Sequence, residues 1–133
     1  MKIFLDANIL FSASRVPSPT RHLIEIFLRY AKAVTNLAAI HEAERNLQQK
    51  RPQWLQGWQT LRNKIEVMPL SAPLAYPPLP EKDWPILHGA IEAKCSYLLT
   101  SDQQHFGTLY GQVIGGVKIV SMIMLAKEMK AKD

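Results

Sequence analysis

Carboxylates offer the most chemistry in this sequence, and four segments far apart in the chain supply them. Asp6 closes the apolar run Ile3-Phe4-Leu5, and Asp102 stands one serine beyond Tyr97-Leu98-Leu99-Thr100. Asp83 opens Trp84-Pro85-Ile86-Leu87, while Glu42 and Glu44 lie near the start of a helical pattern carrying Ile40, Ala43 and Leu47. If the two apolar runs are parallel strands, Asp6 and Asp102 project from one edge of the sheet. Helices between such strands run back against them, so their first turns return to that edge and bring Asp83 and either Glu42 or Glu44. Each acid also has a plainer role: Asp83 as a helix cap, Asp6 and Asp102 as turn residues, either glutamate as a solvated charge beside Arg45. Unrelated caps and turns, however, have no reason to share an edge. Acids gathered there repel one another and lose hydration, which a bound cation offsets. An all-oxygen donor set predicts Mg²⁺ or Mn²⁺, ions that keep several waters and bind through a few carboxylates plus phosphate.

The elements that must position these acids read as alternating strands and helices. Lys2 to Leu5 is the first strand. The Ser18-Pro19 pair supplies a cap and a proline at the first helical position, and Leu23, Ile24, Phe27, Leu28 and Ala31 carry the helix to about residue 32. Ala33-Val34-Thr35 forms a second strand, and a second helix runs from Asn36 until Arg51-Pro52 stops it. A third helix is expected over about residues 53–64, on Trp54, Leu55, Trp58 and Leu61, then a strand over 65–68. Six of the nine prolines fall between Pro69 and Pro85, which marks a stiff surface crossover rather than a domain boundary. A helix from Asp83, a strand over 97–100, a strand over 117–120 and a last helix through Met122, Leu125 and Met129 complete the pattern. Strands that are apolar throughout and alternate with helices indicate an α/β fold: a short parallel sheet covered on both faces.

Composition narrows the partners. A chain of 133 residues with 47% hydrophobic and 20% charged residues makes one globular domain spanning 1–133. The single cysteine, Cys95, forms no internal bridge, and Asp6 interrupts the opening apolar run before it resembles a secretion signal, so a cytoplasmic location away from membranes is expected. A formal charge of +5 favours polyanions, and the excess is local: nine basic residues against three acidic ones between Arg15 and Lys64. Arg15, Arg21, Arg45, Lys50 and Arg51 are therefore the candidates to contact a nucleic-acid backbone. Trp54 and Trp58, four apart, suit packing better than base stacking. His105 reads as an exposed loop histidine, with phosphate contact or proton transfer as its lesser role. His41 and Cys95 make no pair with metal or nucleophile character.

Four stretches in order carry a family resemblance: Ile3-Phe4-Leu5-Asp6-Ala7-Asn8-Ile9-Leu10, His41-Glu42 to Leu47, Asp83-Trp84 to Ala90, and Tyr97-Leu98-Leu99-Thr100-Ser101-Asp102 to Phe106. Together they resemble the successive motifs of PIN-domain nucleases, most closely the small bacterial single-domain branch that includes VapC-like toxin ribonucleases. The match spans residues 1 to about 125. It departs from the pattern at Gln103-Gln104, where relatives often carry a charge. The resemblance implies a three-layer α/β/α fold and Mg²⁺- or Mn²⁺-dependent hydrolysis of RNA phosphodiester bonds, leaving 5′-phosphate and 3′-hydroxyl ends. By motif position, it implies Asp6 and Asp102 as central metal ligands, with Asp83 and Glu42 completing the set. Glu42 is favoured over Glu44 by its place five residues before Leu47. An antitoxin protein and a homodimer are the partners it implies besides RNA. Asn8 and Thr100 are read as hydrogen-bonding the carboxylates and holding their angles, or else as ordinary turn and strand-end residues. Two other readings remain: a catalytically silent RNA- or partner-binding module with the same pocket, and a phosphoryl-transfer domain with Asp6 as nucleophile. The latter lacks the aspartate expected two positions on, where Asn8 stands.

Overall fold

The computed structural model describes residues 1–132. Its elements are β1 (Lys2–Leu5), α1 (Ala7–Ala13), α2 (Pro19–Phe27), β2 (Lys32–Asn36), α3 (Leu37–Lys50), α4 (Leu55–Arg62), β3 (Ile65–Met68), α5 (Trp84–Glu92), β4 (Tyr97–Leu99), α6 (Gln103–Phe106), β5 (Val113–Ile114), β6 (Val117–Val120) and α7 (Met122–Lys132). The sheet order is β3-β2-β1-β4-β6-β5. Five strands are parallel; β5 pairs antiparallel with β6, so the expected all-parallel sheet gains one reversed edge strand. Gly115 and Gly116, both at positive φ (58° and 84°), turn that hairpin in a conformation that L side chains rarely adopt.

From β1 the chain steps outward on one side to β2 and β3, then crosses to the other side for β4 and β6. Right-handed crossovers place α1 to α4 on one face and α5 and α6 on the other, giving the three layers expected of the α/β/α class. They also make the gap between β1 and β4 the point where strand order reverses, the usual binding crevice of an open α/β sheet. Apolar residues of the inner strands fill the core: Phe4, Val34, Leu98, Leu99, Ile119 and Val120 are wholly buried.

Helix boundaries differ from expectation where tertiary contacts override local pattern. α1 was not anticipated, because seven residues are too few to show a helical period. α2 ends at Phe27 rather than near 32, since the Lys32 amide is drawn into the sheet by the Met1 carbonyl (2.9 Å). The expected helix over 53–64 divides into a 3₁₀ turn, Pro52–Trp54, and α4. No helix among the described residues is long and apolar enough to cross a membrane.

Candidate metal centre

Each acid arrives at the crevice by a local cause. Asp6 follows β1 and caps α1, its Oδ1 accepting the Ala7 amide at 2.7 Å. Asp102 caps α6, its Oδ1 accepting the His105 amide at 3.1 Å. Asn36 caps α3 through the Ala39 amide (3.2 Å) and donates Nδ2 to the Pro85 carbonyl (3.1 Å), which ties the start of α3 to the start of α5. Gly89 makes that closeness possible: a Cβ there would stand 2.5 Å from Asn36 Nδ2. Glu42 and Asp83 are thereby held toward each other and toward Asp6, whose carboxyl feels both of their charges.

A hydrogen-bonded staple joins the ends of β1 and β4. Asn8 Oδ1 accepts the Ser101 amide (2.9 Å) and hydroxyl (3.0 Å), while its Nδ2 donates to Asp6 Oδ2 and Thr100 Oγ1, both at 3.3 Å. Thr100 Oγ1 donates to Asp6 Oδ2 at 2.8 Å and accepts the Asp102 amide at 3.1 Å. Asn8 and Thr100 therefore touch the Asp6 carboxylate directly and hold Asp102 through its backbone amide. Tyr110, which no sequence pattern singles out, completes the wall by donating its hydroxyl to the Thr100 carbonyl at 2.9 Å. Burial chiefly, and then the charges of Asp102 and Asp6, push its phenol above the ordinary range.

The electrostatics show an unmet need for positive charge. Burial raises Asp6 from 3.8 to about 6, against the lowering effects of Thr100 and Ala7, with the charges of Asp83 and Glu42 raising it further. Asp83 is also raised, again by burial first, although His105 and Lys82 pull it down. Asp83 Oδ2 and Asp102 Oδ2 each lie 2.9 Å from His105 Nδ1. Among the described residues, Asp83 Oδ2 and His105 Nδ1 are the buried side-chain polar atoms that make no hydrogen bond, so their approach is close but not aligned for one. One donor atom from each of Asp83, Asp102 and His105 lies within 4.8 Å of the others. That set fits a divalent cation, which would satisfy the orphaned oxygen and offset the buried charge. No trio containing Asp6 or Glu42 reaches this spacing among the described residues, and His105, read as a loop residue, stands at the centre instead.

The two candidate glutamates of α3 have different neighbours. Glu44 Oε2 accepts the Trp58 indole N–H (2.9 Å) and pairs with Arg62 (3.4 Å), so it belongs to the α3–α4 contact, while Glu42 is the one whose charge reaches Asp6 and Asp83. Trp58 is buried packing, and Trp54 rests against Phe11 with the Arg51 guanidinium 5.6 Å over its ring. Arg15, Arg45, Lys50 and Arg51 are exposed. Arg21 is a correction: only 5% exposed, it donates to Glu25, the Ala13 and Gly57 carbonyls and the Thr60 hydroxyl, so it clamps α2 to α1 and α4, with four of its five N–H groups engaged and its charge paired with Glu25.

No family model matches the sequence, and no curated relative does. Solved structures do share its shape. It is similar to VapBC2 from Rickettsia felis, solved bound to a DNA fragment from its promoter, at a TM-score of 0.65 and 15% identity over 91% of this chain and 98% of that one. It is similar to a PilT N-terminus domain protein from the archaeon Sulfolobus solfataricus P2 (TM-score 0.61, 12% identity, 98% and 95% covered). VapBC-1 from nontypeable Haemophilus influenzae gives a TM-score of 0.60 at 13% identity, with 92% and 99% covered. The layers, the strand order and these neighbours agree: the chain has a PIN-like fold with an acidic crevice at its topological switch point.

Proposed function

We propose that the protein is a Mg²⁺- or Mn²⁺-dependent ribonuclease and the toxin of a toxin–antitoxin pair. One observation carries the reading: in a basic protein Asp83 and Asp102 close on His105 at the crevice, around a buried Asp83 oxygen that makes no hydrogen bond, with the charges of Asp6 and Glu42 acting on the same group. Asp83 and Asp102, with Asp6 and Glu42 behind them, would hold the cation. When bound, such an ion supplies Lewis-acid activation of water and neutralises charge at the scissile phosphate. Asn8 and Thr100 keep the Asp6 carboxylate from rotating and anchor the backbone of Asp102, so these groups are set before substrate arrives. Exposed Arg15, Arg45, Lys50 and Arg51 draw in the RNA backbone and leave the acids to the reaction. An antitoxin partner is supported by likeness of fold to two VapBC structures, and an RNA substrate would place the activity in the cytoplasm.

Purified protein should cut RNA with Mg²⁺ or Mn²⁺, stop with EDTA, and leave 5′-phosphate and 3′-hydroxyl ends. Asp102→Asn should fold and not cut. RNA affinity that ignores EDTA, with no cleavage across varied RNAs, would instead favour a silent binding module.

A further inference from the structure

We propose that His105 is a nitrogen ligand of the bound cation, and that it makes the centre prefer Mn²⁺ and similar transition ions over Mg²⁺. The inference deepens the metal-dependent reading above and rests on it. An imidazolium that merely bridged two carboxylates would aim an N–H at one of them. Here Nδ1 lies 2.9 Å from Asp83 Oδ2 and from Asp102 Oδ2 and hydrogen-bonds to neither. The distance alone would serve a hydrogen bond as well, so the missing alignment decides, and the spacing is also that of shared ligands: adjacent donors on an octahedral ion with bonds of about 2.1 Å stand about 3.0 Å apart. Asp83 supplies an independent sign. Its side chain is 9% exposed, and its Oδ2 faces the imidazole nitrogen at 2.9 Å yet makes no hydrogen bond at all.

Backbone geometry holds the imidazole there. Asp102 caps the turn that His105 ends, with the His105 amide on Asp102 Oδ1, which leaves Oδ2 of the same carboxylate facing the ring. Imidazole nitrogen suits first-row transition ions, whereas Mg²⁺ favours oxygen and water. A two-oxygen, one-nitrogen face therefore shifts the preference of an otherwise acidic centre. Gln103 and Gln104, the neutral residues before it, add no competing oxyanion to that face.

Mn²⁺ alone is the probe. Pulsed electron paramagnetic resonance on the full chain should show coupling to a directly bound nitrogen that changes on histidine-selective ¹⁵N labelling and disappears in His105→Asn, whose side chain offers oxygen in place of Nδ1. Calorimetric competition should show the Mn²⁺-over-Mg²⁺ preference falling at least about tenfold in that variant. His105→Gln serves if His105→Asn does not fold, and the wild-type spectrum needs neither. Mn²⁺ bound without nitrogen coupling, coupling that persists in His105→Asn, or an unchanged ion preference would overturn the assignment while metal-dependent cleavage stands. A wild-type chain that takes up no Mn²⁺ would overturn both.

Discussion

Two histidine–carboxylate clusters stand on opposite ends of the same helix, and they reach opposite electrostatic ends. At the start of α5, His105 faces Asp83 and Asp102, an oxygen and a nitrogen go without hydrogen bonds, and burial raises Asp83. Toward its end, His88 and Glu92 receive the proline-rich crossover. His88 Nδ1 accepts from the Leu74 amide (3.5 Å) and meets the Tyr76 hydroxyl (2.9 Å), while Nε2 reaches Glu92 Oε1 (3.1 Å) and the Ser71 hydroxyl donates to Glu92 Oε2 (2.6 Å). An amide can only donate, so Nδ1 is the acceptor and Nε2 holds the proton. The Ser71 hydroxyl first, and then His88, hold the Glu92 carboxyl below its usual range. The same residue types thus fasten a strap where these polar atoms are matched, and make a site where two are not.

If that difference is functional, breaking the first cluster removes activity and breaking the second does not. Asp83→Asn or Asp102→Asn should lower RNA cleavage by about a thousandfold or more, the several kcal/mol that a bound ion contributes to charge stabilisation. Glu92→Gln should leave cleavage within a few-fold, measured on the same RNA at saturating Mn²⁺.

Asp6 sharpens the contrast through pH. Its carboxyl titrates near 6 in the metal-free fold against 3.8 when unperturbed, so the folded chain holds that proton more tightly than the unfolded one. The associated stability is present below pH 3.8 and lost as pH rises through about 6. At pH 7.5 the ionised group costs the fold up to about 3 kcal/mol. Asp6→Asn, which cannot ionise, should therefore abolish the fall in metal-free melting temperature of up to about 10 °C that the wild type shows between pH 4 and pH 7.5 from this group, while cleavage is lost.

The contrast also explains how far the sequence could be read. Asp6, Asp83 and Asp102 were legible because each ends or begins an apolar run, and strand direction then dictates a shared edge. Glu42 against Glu44 was not, since only the Trp58 indole and Arg62 decide which glutamate is occupied elsewhere. Arg21 looked like surface charge because its partners, the Ala13 and Gly57 carbonyls and Thr60, are backbone or uncharged groups brought near by folding. His105 was undervalued for the opposite reason: a histidine in a loop has no spacing that announces two carboxylates 2.9 Å away. The reversed strand β5 left no signal because two residues cannot show alternation.

Metal binding offers a smaller, thermodynamic version of the same test. At a hundredfold excess over its dissociation constant, Mn²⁺ should stabilise the wild type by about 2.7 kcal/mol, about 10 °C in melting temperature. Asp83→Asn should lose most of that shift and Glu92→Gln should keep it, read by scanning calorimetry with and without EDTA.

The smallest effect belongs to the strap. Tyr76→Phe removes one hydrogen-bond partner of His88 Nδ1 and leaves the Leu74 amide in place, so the ring keeps an acceptor role and no buried atom is orphaned. Loss of a satisfied hydrogen bond costs about 1 kcal/mol, about 4 °C here. Amide exchange at Leu74 should quicken while amides of β1 and β4 keep their protection, because the strap lies outside the sheet. Cleavage should not change. A large loss of cleavage in Tyr76→Phe would mean that the strap, through α5, sets the position of Asp83, and the two clusters would then be one device rather than two.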